Sequence, residues 1–497
     1  MSVFPVHDSE DLDKLNKSWS RSPLNPPLDQ IRNYFGESVT LYWSFTESYT
    51  KFLILIAVLG LVEYLCETFG INYVYSNVLF SFFNLLCLGF FLELWKRKAN
   101  EHSFFWGTSG KLRLKPPRPE YRGELRSNPV TGKQEMYYSK GKRLKKIFFV
   151  SFPLTFLCLI MAFVLMIGSF EGDRIMALLL TDPDTEEVST DFLSKILINI
   201  PSILYSLSII IFNKVYLKMA RSLTTWENHR TQEQHDTHIT IKLVTFEFVN
   251  TFLALFYMGF WMQDIAGLRA QLFTTLIVQQ VVNQVQEVLI PLVLHKPASQ
   301  KFLHKMSKKL GVNEEPQKRK LIGISDLSTD DDRVRAVSHD ILADPLDTLH
   351  DDFMEIWLQF GHVFLFSAVY PLAAVIALVN NLTELFADRY KLCSLSRKPR
   401  PLAVRDIGAW YMAFRITAII SIISNCGLIA LDLRNTAGQD WSSGEWFGMF
   451  VLIEHVFLVA FIGINKLVSD TSSQVKLAMD KTEYHFKQKH VKDDQDK

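Results

Sequence analysis

The chain has 497 residues, 48% hydrophobic and 13% aromatic, and with 38 Phe it is too apolar for an ordinary soluble protein of this length. Its formal net charge of +1 gives no global attraction for nucleic acid, so no nucleic-acid partner is expected; the charge is patterned along the chain instead. Its cysteines, at 66, 87, 158, 393 and 426, fall in or near apolar runs, with neither zinc spacing nor a disulfide framework.

In chain order, the first forty residues are polar and lack an apolar core segment, so no signal peptide is expected. Runs long enough to cross a bilayer, about 20 residues, are predicted near 50–68, 73–95, 147–170, 196–217, 240–262, 271–294, 408–431 and 445–467. Lysine and arginine in the connections set the orientation. The 96–146 connection holds fifteen of them against four Glu and reads as cytosolic. The 171–195 connection is acidic and belongs on the far side, whereas 214–239 and 295–322 are basic and cytosolic again.

A further apolar stretch, 353–387, is too long for one ordinary span. The charge places 295–350 in the cytosol, and Arg389, Lys391, Arg397, Lys398, Arg400 and Arg405 place 389–405 there too. One crossing would put these ends on opposite sides. A hairpin of two short or tilted helices satisfies both, with Tyr370-Pro371 as the bend because proline breaks the helical ladder. The reading is an all-α integral membrane protein of ten transmembrane helices, the seventh and eighth forming the hairpin, with both termini cytosolic. Residues 1–45 form an N-terminal cytosolic segment, 46–470 the transmembrane domain and 471–497 a cytosolic tail.

Folding the hairpin aligns its carboxylates. Asp352 and Glu355 lie nineteen and sixteen residues before Pro371, and Glu384 and Asp388 thirteen and seventeen after it. On one straight helix Asp352 and Asp388 would be roughly 54 Å apart. Each pair has i,i+3 or i,i+4 spacing and shares a helical face, as do Asn283 and Glu287 at the end of the 271–294 run. A membrane carboxylate costs about 2.5–3.5 kcal/mol at a helix centre, so five would cost roughly 12–18 before repulsion. Protonation relieves that cost, and multivalent cations relieve it better. The all-oxygen set suits hard cations and disfavours zinc or copper, and five charges with an amide oxygen match about two Ca²⁺. Any single pair is also readable as a helix end in water, and Asp351-Asp352 as an N-terminal cap.

The segments FPVHDSEDL (4–12), IRNYFGESVTLYWSF (31–45), LELWKR (92–97), SNPVTGKQE (127–135), LTTWENHR (223–230), LQFGHVFLFSAVYPLAAVIALVNNLTE (358–384) and SNCGLIAL (424–431) resemble the anoctamin family of calcium-activated scramblases and chloride channels, most closely its endoplasmic-reticulum branch. The resemblance runs through essentially the whole chain. It implies a homodimer through the tenth helix and a two-calcium site at Asn283, Glu287, Asp352, Glu355, Glu384 and Asp388. It also implies a further calcium position between the second and tenth helices, at Glu93 and Asp470. Family members carry a folded cytosolic domain before the FPVHD segment, and this chain is expected to be a form lacking it. The endoplasmic-reticulum membrane is the implied location, with the plasma membrane as alternative.

In this family the transported species moves beside the third to seventh helices. Polar residues here mark such a track: Ser202, Tyr205, Ser206 and Asn213 on the fourth helix, Lys242, Thr245, Glu247 and Asn250 on the fifth, and Thr275, Gln279 and Gln280 on the sixth. Small and amide side chains also glue helices together, so each alone reads first as packing. Glu247 is expected to pair with Lys242 or Lys214, and Glu454-His455 to bond across the dimer seam. The resulting expectation is a calcium-activated phospholipid scramblase, with a calcium-activated ion channel or a non-transporting contact-site tether as alternatives. No nucleophile–base arrangement, Gly-rich phosphate loop or zinc motif points to an enzyme.

Overall fold

A computed structural model describes residues 5–70, 73–108, 116–128, 132–180, 200–285, 349–436 and 442–495. The helices are α1 (Ser9–Ser20), α2 (Leu28–Phe35), α3 (Glu37–Thr68), α4 (Tyr73–Phe105), α5 (Lys140–Lys146), α6 (Phe152–Leu180) and α7 (Ile200–Glu227). They continue with α8 (Gln232–Phe256), α9 (Ile265–Gln284), α10 (His350–Phe364), α11 (Ala373–Tyr390), α12 (Ala409–Thr436), α13 (Ser443–Leu467) and α14 (Ser473–Gln495). Strands β1 (Glu124–Ser127) and β2 (Gln134–Tyr137) form an antiparallel pair, Glu124 opposite Tyr137. Among the described residues, 7 helices are long and apolar enough to cross a membrane. The chain divides into two compact units.

The first unit comprises 1–110, 269–407 and 415–497. Asp8 caps α1 by accepting from the amides of Glu10 and Asp11, and α1 buries Trp19 edge-on against Trp43 at 4.5 Å. α2 stops at Gly36, whose φ of 93° is open to glycine, and a Cβ there would lie 2.8 Å from Pro401. α3 then starts thirteen residues before the predicted span at 50. From Val39 to Thr50 every residue but Ser48 is buried, so most of its hydroxyls are covered by protein. Thr40, Thr46 and Thr50 bond their own i−4 carbonyls at 2.7–2.9 Å, which lets a polar run continue the helix. The second half exposes Leu55, Val58, Leu61 and Val62, an apolar surface suited to lipid.

α10 and α11 are the arms of the hairpin, with 15 and 18 residues. At 1.5 Å per residue they are about 22 and 27 Å long, both short of the roughly 30 Å hydrocarbon core. The bend between them leaves backbone groups that lipid cannot satisfy, and α12 satisfies them. Asn425 donates to the Phe364 carbonyl at 2.7 Å and accepts from the Ala368 amide at 2.8 Å and the Ser367 hydroxyl at 3.0 Å. Ser424 donates to the Leu365 carbonyl at 2.5 Å. On the other side α3 packs so closely that a methyl at Gly60 would overlap the Pro371 carbonyl.

The second unit comprises 111–268 and 408–414. α6, α7 and α8 pack together, with Tyr216 stacked on Phe246 at 3.8 Å and its hydroxyl donating to the Lys242 carbonyl at 2.8 Å. The turn from α7 to α8 passes through Asn228 at φ 62°, a conformation asparagine tolerates. The strap leading into β1 holds this turn. Asn228 donates to the Arg122 carbonyl at 2.6 Å and accepts from its amide at 3.1 Å, while the Arg118 amide donates to the Arg230 carbonyl at 2.8 Å.

Replacing Asn425 with Leu removes the buried partners of the bend without changing side-chain volume greatly. Thermal unfolding in detergent is expected to show a loss of about 2–4 kcal/mol; an unchanged melting curve would mean the bend is held by other contacts.

Candidate cation site

Asp352 enters in the first turn of α10, and Glu384 and Asp388 occupy successive turns near the end of α11. All three side chains are buried, Asp352 8%, Glu384 6% and Asp388 7% exposed. Asp352 and Asp388 line one cleft at the hairpin end away from the bend, together with Tyr42, Trp43 and Lys391. Glu355 is half-buried one turn beyond Asp352. The side chain of Asn283 and the whole of Glu287 lie outside the described residues.

Each buried carboxylate has a protein partner. Lys391 Nζ sits 2.8 Å from Asp352 Oδ1. The Tyr42 hydroxyl donates a short hydrogen bond to Asp388. Gln280 of α9 donates to Glu384 at 3.4 Å and to the Thr383 hydroxyl at 3.1 Å. Burying like charges together is costly unless positive charge or donors meet them, and Lys391 offsets one. Neither Lys391 nor Tyr42 stood out in the sequence. Lys391 read as one of a cytosolic basic cluster, and Tyr42 lies 346 residues from its partner in the segment assigned to the N-terminal region.

Glu93 and Asp470 are also brought together, with a lysine between them. Lys96 Nζ is 2.7 Å from Asp470 Oδ1 and 3.9 Å from Glu93 Oε2, and Asn100 donates to the Asp470 carbonyl at 3.0 Å.

The polar track divides. The side chains of Ser202, Tyr205, Ser206 and Gln279 lie outside the described set, and Thr245 is exposed. Asn250 donates to Asn213 at 3.1 Å, tying α8 to α7. Lys242 does not take Glu247 as its partner. It reaches Glu227 at 2.8 Å instead, because residues five apart point to different faces of a helix. His455 pairs with Glu454 at 2.8 Å within its own chain.

A second cluster did not stand out in the sequence, although LTTWENHR contains two of its three members, Glu227 and His229. Glu227, His229 and His238 place ligand atoms within 4.8 Å of one another. The E-x-H spacing across the turn was the available signal.

A helical membrane protein with buried carboxylates at one end of a two-helix hairpin is the class that fold and site define. A family model described as "Anoctamin: Calcium-activated chloride channel" matches residues 31–482. The chain is 35% identical to human anoctamin-10 over 490 residues, covering 97% of this chain and 70% of that protein. It is 35% identical to zebrafish anoctamin-10 over 487 residues, 97% of this chain and 72% of that one. Mouse anoctamin-8 is 36% identical over 293 residues, 58% of this chain and 27% of that protein. The chain belongs to the anoctamin family, a family of channels and scramblases and not of enzymes. It spans about seven tenths of the length of the human and zebrafish anoctamin-10 relatives.

A double-mutant cycle on Asn213→Leu and Asn250→Leu, read by thermal unfolding, is expected to give a coupling of about 0.6–1.7 kcal/mol, the range of interhelical hydrogen bonds in membranes. Strict additivity would show that the pair does no gluing and leave both side chains to the track.

Proposed function

We propose that the chain is a calcium-activated phospholipid scramblase, with Asn283, Glu287, Asp352, Glu355, Glu384 and Asp388 holding about two Ca²⁺. The observation that carries this reading is the burial of Asp352, Glu384 and Asp388 at one end of the hairpin, with one lysine paired to Asp352. The donor set fits the ion: it is all oxygen, and its excess negative charge asks for a hard multivalent cation. Calcium supplies the charge that lets several carboxylates share one cleft.

The chain's own residues set the arrangement that calcium competes with. Lys391 holds Asp352, Tyr42 holds Asp388, and Gln280 ties α9 to α11 through Glu384 and Thr383. A ligand that binds one arrangement of α9 better than another shifts the population of that helix. Phospholipid headgroups are proposed to follow Ser202, Tyr205, Ser206, Asn213, Thr245, Asn250, Gln279 and Gln280 while their tails stay in lipid. A calcium-activated ion channel is the second reading, favoured by the Asn213–Asn250 bond, which joins two side chains of the proposed track to each other.

The wider assembly follows the same resemblance: ten spans, cytosolic termini and a homodimer along α13, whose Leu452, Val456 and Val459 form an exposed apolar face. A third calcium position at Glu93 and Asp470 requires Lys96 to move away. The endoplasmic-reticulum membrane is the proposed location.

Liposomes carrying the purified chain and dithionite-quenchable lipids test the reading. Calcium is expected to speed loss of the inner-leaflet signal beyond that of empty vesicles, and calcium-gated current without lipid transfer would make it a channel. Glu287→Gln is expected to move activation to higher calcium, about tenfold, and an unchanged response removes that residue from the site. Lys391→Met is expected to move it to lower calcium by a similar factor; a shift the other way would make Lys391 a support of the cleft and not a competitor.

A further inference from the structure

Glu227, His229 and His238 lie apart from the carboxylate cleft and from everything the transport reading uses. Glu227 ends α7 and is fully buried, and His229 beyond the turn is 1% exposed. His238, in the second turn of α8, keeps 35% of its side chain accessible. His229 Nε2 is 2.7 Å from Glu227 Oε2, and His238 Nδ1 is 4.0 Å from the same oxygen. The two imidazoles face each other at 4.1 Å with 28° between their planes. The other carboxylate oxygen, Oε1, belongs to Lys242 at 2.8 Å, and Lys242 also donates to Thr224 at 3.1 Å.

The simplest account is a polar staple, with His229 and Lys242 satisfying a buried carboxylate. That account covers His229 and leaves His238 unexplained. Its Nδ1 stops beyond hydrogen-bond reach of Oε2, yet its ring is stacked on another imidazole, so two nitrogens and one oxygen converge on a common gap. His229 and Lys242 both meet the Glu227 carboxylate, one on each oxygen.

We propose that Glu227, His229 and His238 bind one divalent transition metal of the zinc class at the turn joining α7 to α8. Two imidazoles and a carboxylate are the donor set that zinc, cobalt and nickel accept and calcium and magnesium do not favour. Ligand atoms around a tetrahedral ion with bonds near 2.0–2.1 Å stand about 3.3 Å apart. The 2.7 Å contact therefore opens by a few tenths of an ångström and the 4.0 Å gap closes by a similar amount. Binding uses the neutral His229 tautomer that carries its ring proton on Nδ1, because a metal-bound imidazole presents its Nε2 lone pair. Lys242 stays on Oε1 and orients the carboxylate, as groups behind metal ligands do. Its positive charge lowers affinity for every cation and selects those whose bonds to imidazole are strong. The accessible edge of His238 provides the entry path and leaves the fourth position to water. The site is held ready by the Asn228–Arg122 and Arg118–Arg230 bonds across the turn.

The test is equilibrium Co²⁺ binding to the purified, tag-free, metal-stripped full chain in lipid nanodiscs. One Co²⁺ per chain is expected to bind with the intense visible absorption of a tetrahedral nitrogen–oxygen site, to be displaced by Zn²⁺ and to withstand excess Ca²⁺. His238→Gln and His229→Gln are each expected to weaken binding at least tenfold and to abolish the absorption. His238→Gln is the decisive variant because that side chain is half-exposed, and its melting curve without metal is expected to match the parent. Zn²⁺ is expected to raise the melting temperature of the parent and not of His238→Gln. No saturable absorption, or the same binding in both variants, or displacement by Ca²⁺, would overturn the site.

Discussion

Buried negative charge at the end of the hairpin away from its bend is the constraint on which the rest of the first unit depends. Asp352, Glu384 and Asp388 are out of water, and a carboxylate in that position is tolerated only with a cation or strong donors in reach. The chain meets the cost with Lys391, Tyr42 and Gln280, drawn from three separate helices. Those partners are the contacts that the proposed cation would have to displace. The helices carrying them must therefore be held in register elsewhere.

That register comes from the opposite end of the hairpin. A break in a helix at membrane depth exposes amides and carbonyls that lipid cannot satisfy, and Asn425 and Ser424 of α12 take up those groups. Gly60 of α3 lets a second helix close against Pro371. With the bend fixed from two sides, the arms run back together and the carboxylates meet. A lysine paired with a carboxylate recurs at Lys96 with Asp470 and Lys98 with Glu47, and in the second unit at Lys242 with Glu227. Each is a tethered positive charge on a flexible stem.

The hairpin was legible in the sequence because basic residues flank 353–387 on both sides, and charge patterning reports topology directly. The start of α3 was not, since a run of Ser and Thr from 40 to 50 reads as a polar end when it is a protein-covered helix whose hydroxyls bond to their own backbone. The β1–β2 pair inside the basic 96–146 connection was equally hidden; its strands are four residues each and almost wholly exposed, without an apolar face to betray them. Lys391 and Tyr42 could not be assigned because their roles come from long-range contacts. His229 and Glu227 were visible as a motif but had no meaning until the turn brought His238 beside them.

The central claim, that the carboxylates of the hairpin are a calcium site, is tested most directly by equilibrium binding of radioactive calcium to the purified chain in nanodiscs, compared with Asp388→Asn. The account predicts saturable uptake of about two ions per chain in the parent and a steep loss of affinity in the variant. The same isotherm in both would contradict it, and would leave Lys391 and Tyr42 as the permanent partners of those charges.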